Sequence, residues 1–210
     1  MKKIVTIILT LLLLVGCSRG TSEKVAEEYL ESIKSMDFES AKTYMANEKS
    51  FFSIENFGDS LYEGYVRVGL SDFDDESKEI IKSAARKYVD EAVVKSMDFD
   101  YEILEKSNTS GGIEVVVKLD VLNGEDFKSH FKELEEIERG SYALNLEKAE
   151  ALSRGYETLI KELKDYESRV SKEFKLKLIK VDGTYKVENG VEIMDVLIEP
   201  FTSFIGIFSN

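Results

Sequence analysis

Histidine, cysteine, proline and tryptophan are nearly or completely missing from this chain. Its 210 residues include one cysteine, one histidine, one proline and no tryptophan. One cysteine cannot form an internal disulfide or a site with several cysteine ligands. His130 has no second histidine with which to share a metal ion, so we interpret it as a residue on a helix face. We therefore expect neither a metal nor a cofactor.

Basic residues are also scarce relative to acidic ones. The chain has 28 lysine and arginine residues against 41 aspartate and glutamate residues, which gives a formal charge of −13. Such a chain is repelled by phosphate backbones and by anionic lipid headgroups. The sequence thus predicts no nucleic-acid partner. It also predicts that no basic surface holds the protein at a membrane.

A phosphate-binding loop is absent as well. The sequence contains no Gly-x-x-x-x-Gly-Lys-Ser/Thr run. The acidic run from Asp72 to Glu76 lacks the spacing of a calcium loop, and we interpret it as the acidic start of a helix. We predict no catalytic residues and a protein that is not an enzyme.

The N-terminus carries the most specific pattern in the chain. Two lysines after Met1 are followed by an apolar run from Ile4 to Val15, which is shorter than the ~20 residues that a membrane-spanning helix needs. The run leads into Leu14, Val15, Gly16 and Cys17. These four residues resemble the lipobox of bacterial lipoproteins. That resemblance implies cleavage before Cys17, a diacylglycerol on its thiol and, as an option, palmitate or a similar acyl chain on the new amino group.

The resemblance divides the chain into three parts. Residues 1–16 are a cleaved signal peptide, 17–21 are the lipidated cysteine and a short tether, and 22–210 are a single domain. Because Lys2 and Lys3 leave with the signal, 26 basic and 41 acidic residues remain, a charge of −15. We predict a protein held by lipid on the extracytoplasmic face of a bacterial cell membrane, since two or more acyl chains give stable anchoring.

Helical spacing of apolar residues dominates the first half of the domain. Thr21 or Ser22 can cap a helix that carries Val25, Tyr29 and Ile33 on one face, and Asp37 can cap a second, short helix. A longer helix is predicted from about Asp75 to Ser96, with Ile80 and Ile81 among its buried residues. Residues 47–72 fit short helical pieces, and 61–70 also fit a strand.

Alternating apolar and polar residues predict two β-hairpins. The first alternates from Phe99 to Ile103 and from Ile113 to Val121, around a turn at 108–112; the second has a turn at 181–184. Four strands preceded by helices indicate an α+β domain, with the N-terminal helices packed on one face of an antiparallel sheet.

A long helical insertion, about 125–170, separates the two hairpins and is divided near Gly140. Its second half shows the spacing of a coiled-coil seam at Leu152, Tyr156, Leu159, Leu163, Tyr166 and Val170. The first five form a candidate partner surface, on a helical arm that binds another protein. The alternative is an antiparallel helical hairpin that folds onto itself or onto the sheet.

The C-terminal run from Val191 to Phe208 is apolar on one side, and Pro200 is expected to kink or restart a helix there. One interpretation is a helix that closes the core. The other is a membrane-lying helix or a lid over the sheet, for which the candidate residues are Phe201, Phe204, Ile205 and Phe208.

The order of these elements is similar to that of the nuclear transport factor 2-like superfamily. The similarity lies in a helix followed by the break from Ser35 to Ala41, in the strand patterns at 99–103 and 112–118, and in the hairpin at 175–187, where Tyr185 stands at a usual tryptophan position. It implies a cone of helices on a curved antiparallel sheet, in a family of bacterial lipoproteins of unknown function. The insertion at 125–170 departs from that pattern.

Three functions fit these observations. The first is a non-enzymatic, membrane-tethered module that binds a peptide, a small apolar ligand such as a lipid, or an envelope protein. The second is an envelope scaffold that oligomerises through the helix at 141–170. The third is an enzyme that uses carboxylates in the cone.

Replacement of Cys17 by Ser tests the anchor. We expect C17S to move from the membrane fraction to the soluble fraction, because the thiol that carries the lipid is lost and no basic surface replaces it. Fractionation of cells that express each form is the measurement, with Ser18→Ala as the control. Equal membrane association of C17S and the unaltered chain would contradict the lipid anchor.

Overall fold

The computed structural model describes residues 21–48, 59, 62–63, 73–127, 129 and 148–202. Among the described residues, the elements begin with helices α1 (Ser22–Lys34), α2 (Phe38–Tyr44) and α3 (Asp75–Met97), and strands β1 (Asp100–Thr109) and β2 (Gly112–Leu122) follow. After the insertion come α4 (Lys148–Asp165), β3 (Arg169–Val181), β4 (Thr184–Val187) and α5 (Val191–Thr202). The domain is therefore α+β, as predicted.

Short polar side chains begin helices α1, α2 and α3. The side chains of Thr21, Asp37 and Asp74 each accept a hydrogen bond from the backbone N–H three residues later. The pKa of Asp37 is lowered by hydrogen bonds from the side chain and backbone of Ser40, and that of Asp74 is lowered by hydrogen bonds from Ser77. The helix starts predicted at Thr21 and Asp37 are confirmed, because each cap satisfies a backbone donor that the helix leaves free.

The strands form one open antiparallel sheet in the order β1-β2-β3-β4. The β3–β4 turn has positive φ at both Asp182 (50°) and Gly183 (81°), the backbone geometry that suits a two-residue hairpin. Although 46 residues separate β2 from β3, the backbone N–H of Asn123 donates to the carbonyl of Ser168 at 3.0 Å. The insertion thus leaves and re-enters the sheet at one point, and the strand order is a simple meander.

The end of the insertion was placed too late in the sequence-based prediction. Helix α4 stops at Asp165, and Val170 lies in β3, where it pairs with Val121 of β2. The β2–β3 ladder pairs residues from Ile113↔Leu178 to Leu122↔Arg169. Backbone pairing with β2 therefore takes Val170 out of the helical pattern that its spacing suggested.

One face of the sheet carries the main hydrophobic core. Five inward residues of β2 and β3 are fully buried, with 0% exposure: Val115, Val117, Leu119, Leu176 and Leu178. Helices α1 and α5 cover them with Val25, Ala26, Tyr29, Leu30, Ile33, Ile193, Met194 and Leu197. The core-closing interpretation of the C-terminal run is therefore confirmed for α5. Helix α5 also continues through Pro200 to Thr202, so the helix does not restart at that proline.

A second hydrophobic cluster lies between α3, which precedes the first hairpin, and α4, which follows it in the chain. Helix α3 supplies buried Ile81, Ala84, Ala85, Tyr88, Val89 and Ala92, and α4 supplies Ala149, Tyr156, Leu159 and Leu163. Leu122 at the end of β2 and Phe127 complete it. Within the described residues, no helix is both long enough and apolar enough to cross a bilayer.

Asn189 extends the sheet beyond the last residue of β4. Its amide nitrogen donates to the carbonyl of Lys175 and to the carboxylate of Glu192, both at 3.0 Å. Its amide oxygen accepts from the N–H of Lys177 at 2.8 Å. A single buried side chain thus satisfies two backbone groups of β3 and positions the start of α5.

Gly190 should be intolerant of any side chain. A Cβ built on it would lie 2.5 Å from the hydroxyl oxygen of Tyr29, a residue with 0% exposure. We expect Gly190→Ala to lower the free energy of unfolding by about 1–3 kcal/mol through overpacking. Urea unfolding measures this. Gly111→Ala is the control, since a Cβ there meets nothing within 4 Å. Equal stability of the two variants would contradict the close approach of Tyr29.

Candidate functional site

The central residues of the predicted seam lie inside the molecule. Tyr156, Leu159 and Leu163 are 3%, 0% and 1% exposed, and their cluster includes the apolar side of α3. The ring centroids of Tyr88 and Tyr156 are 6.0 Å apart, and Lys164 forms an ion pair with Glu91 at 2.8 Å. The prediction of a free partner surface is therefore wrong for these three residues, because α3 already covers them.

Tyr166, the last of the five predicted surface residues, lies just beyond α4 and is half-buried. Its hydroxyl donates to the Asp126 carboxylate, and its ring meets that of Phe127 edge-on at 4.8 Å between centroids. Burial, followed by the bond to Asp126, raises the pKa of Tyr166 to about 12. Tyr166 thus joins the two ends of the insertion. Leu152, the first of the five, lies in α4.

The predicted lid is in part outside the described residues. Phe201 lies in the last turn of α5, whereas Phe204, Ile205 and Phe208 fall outside the described residues. Two other predictions also fall outside them, namely His130 and the lipobox residues Leu14, Val15, Gly16 and Cys17. The inner face of the sheet is covered by other residues, Ile193, Met194 and Leu197 of α5. Side chains of the domain itself therefore fill the space against this face.

A groove of about 610 Å³ runs between α3 and α4 on the outside of the second cluster. Its apolar part consists of Ile80, Ala84 and Ile160, and Ile80 is 44% exposed. The sequence-based prediction that Ile80 is buried is wrong. Since Ile80 and Ile81 are adjacent on the helix and Ile81 takes the inward position, Ile80 points outward.

Carboxylates surround this apolar part of the groove. Glu76 and Glu79 lie on the α3 side and Glu157 on the α4 side, while Lys87 is the basic residue among the lining side chains. Lys82 pairs with Glu79 at 2.8 Å, and this hydrogen bond raises the pKa of Lys82. Among the described residues, no cation lies within ion-pair distance of Glu76 or Glu157. The groove therefore offers exposed apolar surface inside a negative rim.

Outside the groove, the carboxylates whose pKa values are shifted stabilise local structure. The pKa values of Asp37 and Asp74 are lowered by helix capping, and that of Asp100 is lowered by a hydrogen bond from Lys34. A lowered pKa keeps a carboxylate charged, whereas a general acid at neutral pH needs a raised one. Within the described residues, no group of three or more His, Cys, Asp or Glu side chains could hold a metal ion.

Sequence reasoning missed the groove residues because their positions depend on how two distant helices meet. Glu76, Ile80 and Glu157 all follow ordinary amphipathic patterns. The one local signal was the pair Ile80–Ile81, since two adjacent large apolar residues cannot both lie at the centre of one helix face.

Comparisons with known proteins leave the family open. No protein-family model and no curated protein matches the chain. Among solved structures, a putative lipoprotein (ycdA) from Bacillus subtilis is similar, with 11% sequence identity and a TM-score of 0.43. The match covers 75% of this chain and 48% of that one, so the chain spans about half the length of that protein. A TM-score below 0.5 does not establish a common fold.

Truncation of Leu159 distinguishes internal packing from partner binding. We expect Leu159→Ala to reduce the free energy of unfolding by about 2–5 kcal/mol, because a fully buried leucine leaves a cavity. Val94→Ala, at a site 54% exposed on α3, should change it by less than about 0.5 kcal/mol. Urea unfolding provides both values. A stable L159A protein would mean that α3 does not cover the seam.

Proposed function

We propose that this protein is an extracytoplasmic lipoprotein, anchored through lipid on Cys17, that acts as a non-enzymatic binding module. The groove between α3 and α4 is its binding surface, and the partner is a cationic amphipathic helical segment of another protein. The observation that carries this proposal is the apolar strip in which Ile80, 44% exposed, lies beside buried Ala84 and partly buried Ile160, within a rim of carboxylates.

The size and chemistry of the groove support a peptide. A volume of about 610 Å³ lies within the range of ligand sites and accommodates a few large side chains. Helical peptides bind such grooves through apolar residues spaced three or four apart. Basic residues beside those anchors would lie against Glu76 and Glu157, and a processed chain with a charge of −15 attracts a cationic partner at long range.

The packing of α4 argues against the scaffold alternative. Self-association through the predicted seam would need Tyr156, Leu159 and Leu163, whose side chains are already buried against α3. The inner face of the sheet likewise argues against capture of a small apolar ligand there, since α1 and α5 occupy it. An outer surface is then the more suitable place for a partner.

Two substitutions in the groove test its two properties. We expect Ile80→Ser to weaken peptide binding up to roughly tenfold, because a half-exposed isoleucine contributes about 1–1.5 kcal/mol when covered. Glu157→Gln should weaken it about threefold at low salt and much less at high salt, since screening removes the charge term. The probe is a designed helical peptide of leucine and lysine, titrated by calorimetry into the lipidated protein in neutral vesicles.

The chain offers a matched control for this experiment. Val94 is also an exposed apolar residue of α3, 14 positions and so about 21 Å further along the helix. Val94→Ser should leave peptide binding unchanged. Equal affinity for a leucine–glutamate peptide, or equal effects of I80S and V94S, would contradict the proposed groove. Displacement of the peptide by a neutral lipid would instead favour an apolar small-molecule ligand.

A further inference from the structure

The start of α1 lies at the end of the sheet where β1 turns into β2. Near its start, α1 is tied to β1 by an ion pair between Glu23 and Lys106 at 3.1 Å. Near its end, Lys34 contacts Asp100 at 2.6 Å. Helix α1 therefore runs antiparallel to β1, and Thr21 lies at the end where β1 turns into β2.

The second hairpin turn lies at the same end. The pairing of Ile113 with Leu178 places the start of β2 beside the last part of β3. A Cβ on Gly112 would collide with the carbonyl of Leu178, which shows how closely the two backbones approach there. The turn at Asp182 and Gly183 follows a few residues beyond. Both turns and the start of α1 therefore share one end of the domain.

The groove and the end of α5 belong to the opposite end. Leu122, the last residue of β2, is part of the α3–α4 cluster. Gly124 packs against Pro200 of α5, and Lys172, near the start of β3, forms an ion pair with Glu199. Because β2 has 11 residues, Leu122 and Gly124 lie roughly 35 Å from the turns, and Lys172, which pairs with Leu119, lies about 23 Å from them.

The turn end also differs from the rest of the chain in charge. Residues 107–112 carry no charge, and residues 180–186 contain two lysines and one aspartate, in a chain with a charge of −13. The Lys180 ammonium lies 5.1 Å from the centre of the Tyr185 ring. A lysine beside an amphipathic tyrosine suits the headgroup region of a bilayer.

We propose that this end, residues 107–112 and 180–186, is the surface that faces the lipid bilayer. This rests on the proposed lipid anchor. Cys17 is four residues from Thr21, which limits their separation to about 14 Å, less than half the length of the sheet. The anchor thus holds the two turns at the headgroups, where Lys180 and Tyr185 contact lipid. It also directs the groove away from the membrane, toward a partner.

Fluorescence quenching measures this orientation. Ser110→Cys and Asp182→Cys each carry a dye at the turn end, and Glu125→Cys and Asp165→Cys carry it at the opposite end. The lipidated variants are bound to vesicles with about one-third anionic lipid, part of it headgroup-spin-labelled. We expect at least roughly threefold stronger quenching at 110 and 182, because the opposite end is about 35 Å away. Equal quenching at the four sites, or stronger quenching at 125 and 165, would overturn the proposal.

Vesicle flotation separates this proposal from the anchor on which it depends. Protein that fails to float with the vesicles refutes the lipid anchor and this orientation with it, whereas protein that floats with uniform quenching refutes the orientation alone. Lys180→Glu combined with Tyr185→Ser should reduce quenching at 110 about twofold without loss of flotation. Lys118→Glu, on the exposed face of β2, is the control and should leave it unchanged.

Discussion

Strand β2 pairs along its length with β1 on one side and β3 on the other. Its alternate residues Val115, Val117 and Leu119 point into the main core, where α1 and α5 cover them. Each large aliphatic side chain removed from water contributes about 1.5–3 kcal/mol. The same strand ends at Leu122, which packs in the second core. The burial of β2 therefore fixes the sheet, the two helices on it and the position of the helical layer.

The two cores give the domain two ends of different character. At one end lie the hairpin turns and the start of α1, with little net charge. At the other end, the α3–α4 layer places exposed Ile80 and partly buried Ile160 between Glu76 and Glu157. In the proposed orientation, the lipid anchor holds the first end at the membrane and leaves the second end, with the proposed binding surface, free of it.

The parts of the fold that depend on local chemistry agree with the sequence-based predictions. Caps at Thr21 and Asp37 and the Asp182–Gly183 turn follow from side-chain and backbone preferences within four residues. The failures concern longer distances. Val170 fits a helical spacing but is drawn into β3 by ten residue pairs with β2, and the α4 seam is buried by a helix that begins about 70 residues earlier in the chain.

By itself, the sequence determined the acidic charge, and it determined the helix starts and the two hairpins because each is encoded in a short stretch of chain; the lipid anchor at Cys17 is a prediction from the same kind of local signal. The tertiary structure decided which apolar helix faces are buried inside the domain. Both Leu159 and Ile80 are apolar residues on amphipathic helices, yet one is fully buried and the other is 44% exposed. The packing of α3 against α4 decides which of the two residues is buried. Local periodicity marks an apolar helix face, but it does not specify which other surface covers that face.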